Sequence, residues 1–369
     1  MARKLIVLNG LAAILAVVHH STHWVLTSMI WWADRYSAAA VPDLGQVGGP
    51  GYWLLRVVDQ VADGAVFVFL FVAGYSVCMA VGAGQGTVGW RLIVARVKHL
   101  VLPYLVWSMV MLASGLLQGE TWQPMEVIRI LATGGAAAPY YFVPLLVQLY
   151  LLSPLLFPLA KSHGKRLLAL AVAIQLVTIA LVYGLLLGFG GGGFERFARV
   201  ILDWHLPAYA PWFILGLIAG SHRLEFAAFL GKARRFLLWS IPPAFVAGLV
   251  EWESLRRVTG RSWLSPQETL VDILFFYLFL LALLAFEFVP PSTVPALSRI
   301  GAMAYGIYLS HVLVLEVTAR VAYHIAPPLL AIPVLLQLTL VVFGAGIPFL
   351  VMTLLKRTAP GRLYAWAFG

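Results

Sequence analysis

The chain has 369 residues, 62% of them hydrophobic and 11% charged, with 25 Lys plus Arg against 15 Asp plus Glu and a formal net charge of +10. Soluble domains carry roughly a quarter charged residues, so the composition excludes an ordinary soluble fold and predicts an all-α, polytopic membrane helical bundle, since lipid admits only helices and closed barrels. The excess of basic residues belongs to cytoplasmic loops and not to nucleic acid, and the single Cys78 excludes an internal disulfide and any CxxC metal or redox motif.

Arg3 and Lys4 precede an apolar run in the manner of a secretory signal, but the run continues to Trp32 without a small-residue cleavage site. It reads as a retained first span. About ten spans follow from runs of span length, near 5–28, 54–81, 99–118, 140–160, 166–188, 207–222, 236–252, 269–288, 300–322 and 327–355, in a single transmembrane domain over 1–369. The alternation of a barrel strand is absent, and runs such as 270–286 are continuous. Pro144, Pro154 and Pro348 interrupt spans, which suits a packed bundle enclosing a cavity. Placing the N-terminus in the cytoplasm gathers Arg3, Lys4, Arg91, Arg96, Lys98, Lys161, Lys165, Arg166, Lys356 and Arg357 on the inner side, with the C-terminus cytoplasmic as well. The outer segment 29–53 carries Trp31, Trp32, Tyr36, Tyr52 and Trp53, which suit an interfacial belt or part of an acceptor-binding rim. Gly190 to Gly193 reads as a flexible linker, because neither a preceding strand nor a following Gly-Lys-Ser/Thr makes it a phosphate cradle.

The chemistry-bearing residues start with His19, His20 and His23 inside the first span. An ionisable group in hydrocarbon is costly unless it faces a polar cavity, so such a histidine is a functional-site hypothesis by default. At about 1.5 Å per residue His20 lies roughly 22 Å along the helix, just past the midplane. His19 and His23 share a face four residues apart, while His20 turns about 100° from His19, so the three are not expected to project into one narrow site. A neutral imidazole near pH 7 can accept a proton from a hydroxyl and return it to a leaving group; a hydrogen bond between helices is the structural alternative. His19 and His23 also have metal-ligand spacing, but no third ligand stands nearby in sequence, and no metal is expected.

Arg91, Arg96, Lys98 and His99 precede Pro103 and Tyr104 at the cytoplasmic entrance of the third span. Such a cluster can hold phosphates through charge-assisted hydrogen bonds, and the positive-inside rule equally places basic residues there in any membrane protein. Tyr305-Gly306-Ile307-Tyr308-Leu309-Ser310-His311 enters the ninth span, with Tyr308 and His311 on one face. His311 is expected at a depth close to that of His20, which suggests a shared polar cavity; structural hydrogen bonding is the other reading. Asp59, Asp63, Asp272 and Glu316 fall in or near spans and could each orient an imidazole, although Asp59 and Asp63 lie in the outer third of their span, where solvation is expected.

In this order the motifs resemble the acyltransferase-3 family of integral-membrane acyltransferases. Asn9-Gly10-Leu11 through His20 or His23 is similar to its first-span segment ending in histidine, and Phe69-Leu70-Phe71-Val72-Ala73-Gly74-Tyr75 to its second-span segment. Leu102-Pro103-Tyr104-Leu105-Val106-Trp107 resembles its LPYLLW stretch. Tyr141-Phe142-Val143-Pro144 with Gln148, Leu149, Tyr150 and Pro154, then Trp212-Phe213-Ile214-Leu215-Gly216, then the segment ending in His311, complete the series. Counting from Asn9-Gly10 makes His23 the family histidine, whereas matching Leu11 to Leu15 makes it His20, which keeps more apolar neighbours in step. The family's first-span arginine reads Ala12 or Asn9, its second-span acidic position reads Phe67, its serine before Gly74 reads Ala73, and its paired arginine reads Arg96 with His99.

The resemblance implies a multi-pass bacterial plasma-membrane O-acyltransferase that takes an acyl group, acetyl above all, from acyl-CoA as co-substrate, with no tightly bound cofactor. The acceptor it implies is a hydroxyl of an extracytoplasmic glycan or lipid-linked sugar. Arg91, Arg96, Lys98 and His99 would hold the donor phosphates, His20 or His23 would deprotonate the acceptor, and Tyr150, Tyr308 and His311 would line the cavity. Two rivals stand beside it: a transporter or flippase, for which proline-broken spans are also expected but matched halves are lacking, and a non-catalytic member of the same scaffold.

Overall fold

The computed structural model describes residues 2–32, 49–81, 87–189, 191–261, 263–265, 267, 269–287, 289–358 and 361–369. In chain order its helices are α1 (Ala2–Trp31), α2 (Pro50–Ala62), α3 (Ala65–Ala80), α4 (Trp90–Leu117), α5 (Pro124–Thr133), α6 (Phe142–Leu186), α7 (Gly192–Asp203), α8 (Leu206–Ser221), α9 (Arg223–Thr259), α10 (Leu270–Ala285), α11 (Val294–Ala302), α12 (Ala304–Ile325), α13 (Pro333–Thr358) and α14 (Gly361–Phe368). No strand occurs among the described residues.

Six helical stretches are long and apolar enough to cross a membrane, and α11 with α12, bent by 78°, makes a seventh if the pair is one span. The expected spans 140–160 and 166–188 are one element, the 45-residue α6, broken only at His163 with φ −131 and ψ 32. A helix of that size measures about 68 Å at 1.5 Å per residue, roughly twice the hydrocarbon thickness, so the break divides it into two lengths of about one span each. The charges at 161–166 suggest a loop in sequence. The chain turns there inside a helix instead, with Ser162 Oγ donating to Pro158 O at 2.9 Å and lying 2.8 Å from His163 Nδ1. Gly191 caps α7 and Gly192 and Gly193 form its first turn, so these glycines do not act as a linker, and Gly190 lies outside the described residues.

The fold divides into two compact units: 1–65, 97–144 and 295–369 in the first, 66–96 and 145–294 in the second. In the first, α1 packs on α2, α12 and α13. The backbones of α1 and α11 touch at Gly10 and Gly301: a Cβ on Gly10 would collide with Leu297 O, and one on Gly301 with Ile6 O. Such close approach through small residues is how helices associate where lipid supplies no hydrophobic drive. Gln337 Nε2 of α13 donates to Ser21 Oγ at 2.8 Å and Val18 O at 3.1 Å, tying α1 to α13. Of the aromatic belt expected over 29–53, Trp32 meets Tyr323 in a tilted ring contact at 4.4 Å between centroids, but Tyr52 is buried, a core residue and not an interfacial one. The side chain of Trp31 and all of Tyr36 lie outside the described residues.

In the second unit α3 meets α8 at another glycine pair, Gly74 against Phe213 O and Gly216 against Phe71 O. Beside it Trp212 is sandwiched between Phe67 at 4.2 Å and Tyr277 at 3.8 Å. Several buried polar groups of this unit find partners on neighbouring helices. Gln175 donates to Ala208 O at 2.7 Å and accepts from Tyr277 Oη at 2.8 Å, and Tyr183 Oη donates to Glu251 at 2.6 Å.

Candidate functional site

The site is built in the first unit on α1. With 100° between successive residues, His23 falls about 40° from His19 and His20 about 100°, so His23 lies between the other two and all three share one arc. The rings accordingly cluster, with centroids 4.8 Å apart for His19 and His20, 4.7 Å for His19 and His23, and 6.3 Å for His20 and His23. The expectation that the three could not share a narrow site placed His23 with His19 and weighed only the turn of about 100° to His20, not the smaller turn of about 60° between His23 and His20.

α2 brings the carboxylates. His19 Nδ1 donates to Asp59 Oδ1 at 2.7 Å, and His19 Nε2 lies 3.5 Å from Asp63 Oδ1. Asp59 is 0% and Asp63 2% exposed, so both are core groups and not the solvated ones their outer position suggests. Asp63 caps the C-terminus of α2, its N–H donating to Asp59 O at 2.9 Å, which keeps it one turn from Asp59 on the same side. Asp59 Oδ2 has no hydrogen-bond partner among the described residues. The other carboxylates serve elsewhere: Asp272 accepts from Thr269 at 3.0 Å, and Glu316 accepts from Gln118 at 2.8 Å and pairs with Arg320 at 3.1 Å.

On the other flank α12 presents His311 to His20, with ring centroids 5.2 Å apart. His311 is 0% exposed and its Nδ1 lies 3.1 Å from Ile307 O. A carbonyl can only accept, so Nδ1 carries the proton and Nε2 the lone pair. That Nε2 is buried without a partner among the described residues. His20 makes ring contacts with His19, His23 and His311 but no hydrogen bond among the described residues, while His23 is exposed. The expected meeting of His20 and His311 is therefore present in the structure, within one unit.

Tyr308 is buried beside His311 at 6.0 Å, but its hydroxyl donates to Pro139 O. Tyr140 donates to Leu309 O at 2.5 Å, Tyr104 to Leu131 O at 2.7 Å and Trp107 Nε1 to Ala367 O at 2.8 Å. The polar residues of the LPYL and Tyr-Phe motifs thus hold carbonyls in place. Tyr150 belongs to the second unit, where its ring lies 5.3 Å from the Arg96 guanidinium and its hydroxyl accepts from Arg96 Nη1 at 3.2 Å. Arg96 also donates to Ser76 Oγ at 2.8 Å and Ser76 O at 2.9 Å, which leaves two of the five guanidinium N–H groups without a partner among the described residues. Arg91, Lys98 and His99 on the same helix are exposed, with no ion pair or side-chain hydrogen bond among the described residues.

Two features escape a reading of the sequence: the burial of Asp59 and Asp63, and their convergence on His19. The paired spacings, four residues on each helix, are visible in sequence. That the two faces meet is a tertiary fact.

A family profile described as an acyltransferase domain matches residues 3–355, nearly the whole chain. No curated protein and no solved structure gave a match. The match spans the His cluster on α1 and α2, the His311 segment of α12 and the basic entrance of α4. The chain belongs to the acyltransferase-3 family of membrane acyltransferases.

Proposed function

We propose that the protein is an integral-membrane O-acyltransferase of the bacterial plasma membrane, moving an acetyl group from acetyl-CoA to a hydroxyl of an extracytoplasmic glycan or lipid-linked sugar. The observation that carries this reading is the pair His20 and His311, with ring centroids 5.2 Å apart on α1 and α12, in which the buried His311 Nε2 has no hydrogen-bond partner among the described residues. Where a buried polar atom lacks a partner, a ligand is the natural one to supply it.

On this reading His20 accepts the acceptor's O–H proton as its oxygen attacks the thioester carbonyl carbon. The tetrahedral intermediate then collapses, the C–S bond breaks, and the coenzyme thiolate takes the proton back from the imidazolium. Arg91, Lys98 and His99, exposed at the entrance of α4, are the groups available for the donor phosphates, with Arg96 contributing through its remaining N–H groups.

The test uses the full chain in lipid nanodiscs with radiolabelled acetyl-CoA and a panel of glycans. Wild type is expected to label an acceptor, and His20→Ala to lower turnover by about 10²–10⁴-fold, the usual worth of a general base. His23→Ala run alongside settles the register, the larger loss marking the base. Wild type that labels nothing, and instead moves a substrate across vesicles without donor, would replace this reading by transport.

A further inference from the structure

We propose that His19 and His23 of α1 and Asp59 of α2 bind a divalent transition-metal ion of the zinc type. One donor atom from each of the three lies within 4.8 Å of the other two, and no other such cluster of His, Cys, Asp or Glu occurs among the described residues. The donor set is two imidazoles at i and i+4 on one helix face plus a carboxylate from a second helix. That spacing directs two histidines at a common point one turn wide, and two histidines with one carboxylate suit zinc and its neighbours while leaving a coordination position open.

Three further observations favour a cation over a purely structural pair. Asp59 is fully buried yet its Oδ2 has no partner among the described residues, so a lone pair is available where a ligand atom is needed. Asp59 and Asp63 sit on opposite ring nitrogens of His19, so whichever nitrogen coordinates, the other has a carboxylate to receive its N–H. This is the supporting arrangement that orients histidine ligands in metal sites. His23 is exposed, so its ring is not closed over by the described residues. Tetrahedral bonds of about 2.0–2.1 Å put ligand atoms about 3.3 Å apart, so the group closes on an ion by roughly an ångström of side-chain movement.

The proposal is independent of acyl transfer, because metal content is read without substrate. Full-length protein carrying no polyhistidine tag is stripped with chelator, then titrated with Zn²⁺ or Co²⁺. Bound metal is measured by elemental analysis, and the ligand field by Co²⁺ absorption. Wild type is expected to take up one equivalent. His23→Ala, whose side chain is exposed, and Asp59→Asn each reduce uptake to background, Asp63→Asn weakens affinity about 10–100-fold as expected of a supporting group, and His20→Ala retains the full equivalent. Absence of stoichiometric metal in wild type overturns the proposal, as does uptake unchanged in correctly folded His23→Ala, which would place the ion elsewhere.

Discussion

The two units treat buried polar groups in opposite ways. In the second, Arg96 is clasped by Ser76 and Tyr150, Gln175 bridges Ala208 O and Tyr277, and Arg234 donates to Ala285 O at 2.9 and 3.1 Å. Trp212 Nε1 is left without a partner there, but it is a neutral donor pressed between aromatic faces. In the first unit the buried atoms without a hydrogen-bond partner among the described residues include Asp59 Oδ2 and His311 Nε2, both on ionisable groups, beside the neutral Ser108 Oγ and Gln337 Oε1. A buried group without a partner costs stability, and the cost is larger for a group that can carry charge, such as Asp59 or His311, than for a neutral donor such as Trp212 Nε1. On the proposed function the open groups on α2 and α12 are where a ligand would be received, while Arg96 on α4 and Gln175 on α6 hold neighbouring backbone and side chains.

The largest test of this contrast sets His20→Ala against Arg96→Ala. The first is expected to remove turnover while leaving the thermal midpoint nearly unchanged, because His20 holds no other residue in place. The second removes three hydrogen bonds from a charged group and a cation–π contact. With hydrogen bonds to charged groups worth about 1.5–3 kcal/mol each and not additive, a loss near 3 kcal/mol in unfolding free energy is expected. Arg91→Ala and Lys98→Ala are expected to leave stability alone and raise the KM for acetyl-CoA. If Arg96→Ala behaves like them, with an unchanged midpoint, the guanidinium belongs to the donor and the contrast between units fails for that residue.

A smaller effect is expected at the glycine contacts. In Gly74→Val the new side chain would be driven into Phe213 O, so α3 and α8 must separate. Overpacking of this kind costs about 1–3 kcal/mol, readable as a lower melting temperature with the KM unchanged in what remains folded. A KM shift of the same size as the stability loss would show that the second unit is not purely a support.

Much of the fold was legible in the sequence, because apolar runs of span length have few solutions in lipid. The exceptions are informative. Lys161 to Arg166 falls between the two expected spans 140–160 and 166–188 without forming a separate loop: the helical run continues through it and departs from helical φ/ψ only at His163. The motif segments were visible, but their roles were mixed. Gly10, Gly74 and Gly216 serve close packing, Tyr104 and Trp107 hold carbonyls, and Trp212 Nε1 and His311 Nε2 are without a partner among the described residues. Asp59 and Asp63 read as solvated because depth along a span says nothing about which face a neighbouring helix covers. Their partner, His19, sits 40 residues from Asp59 and 44 from Asp63 in sequence.

The finest distinction lies between residues that hold carbonyls and residues that hold each other. Trp107→Phe keeps an aromatic ring against Phe368 but deletes the Nε1 hydrogen bond to Ala367 O, the tie between α4 and the C-terminal helix α14. A single neutral hydrogen bond contributes about 1 kcal/mol, so the expected result is a midpoint lowered by a few degrees at most, with turnover intact. Because α14 also packs on α12 and α13, the loosened end is expected to show in hydrogen exchange as faster opening of 361–369 before any change at His311. Loss of turnover in Trp107→Phe, with that terminal exchange unaltered, would mean that the α4 motif acts on the histidine pair directly and not through the backbone it holds.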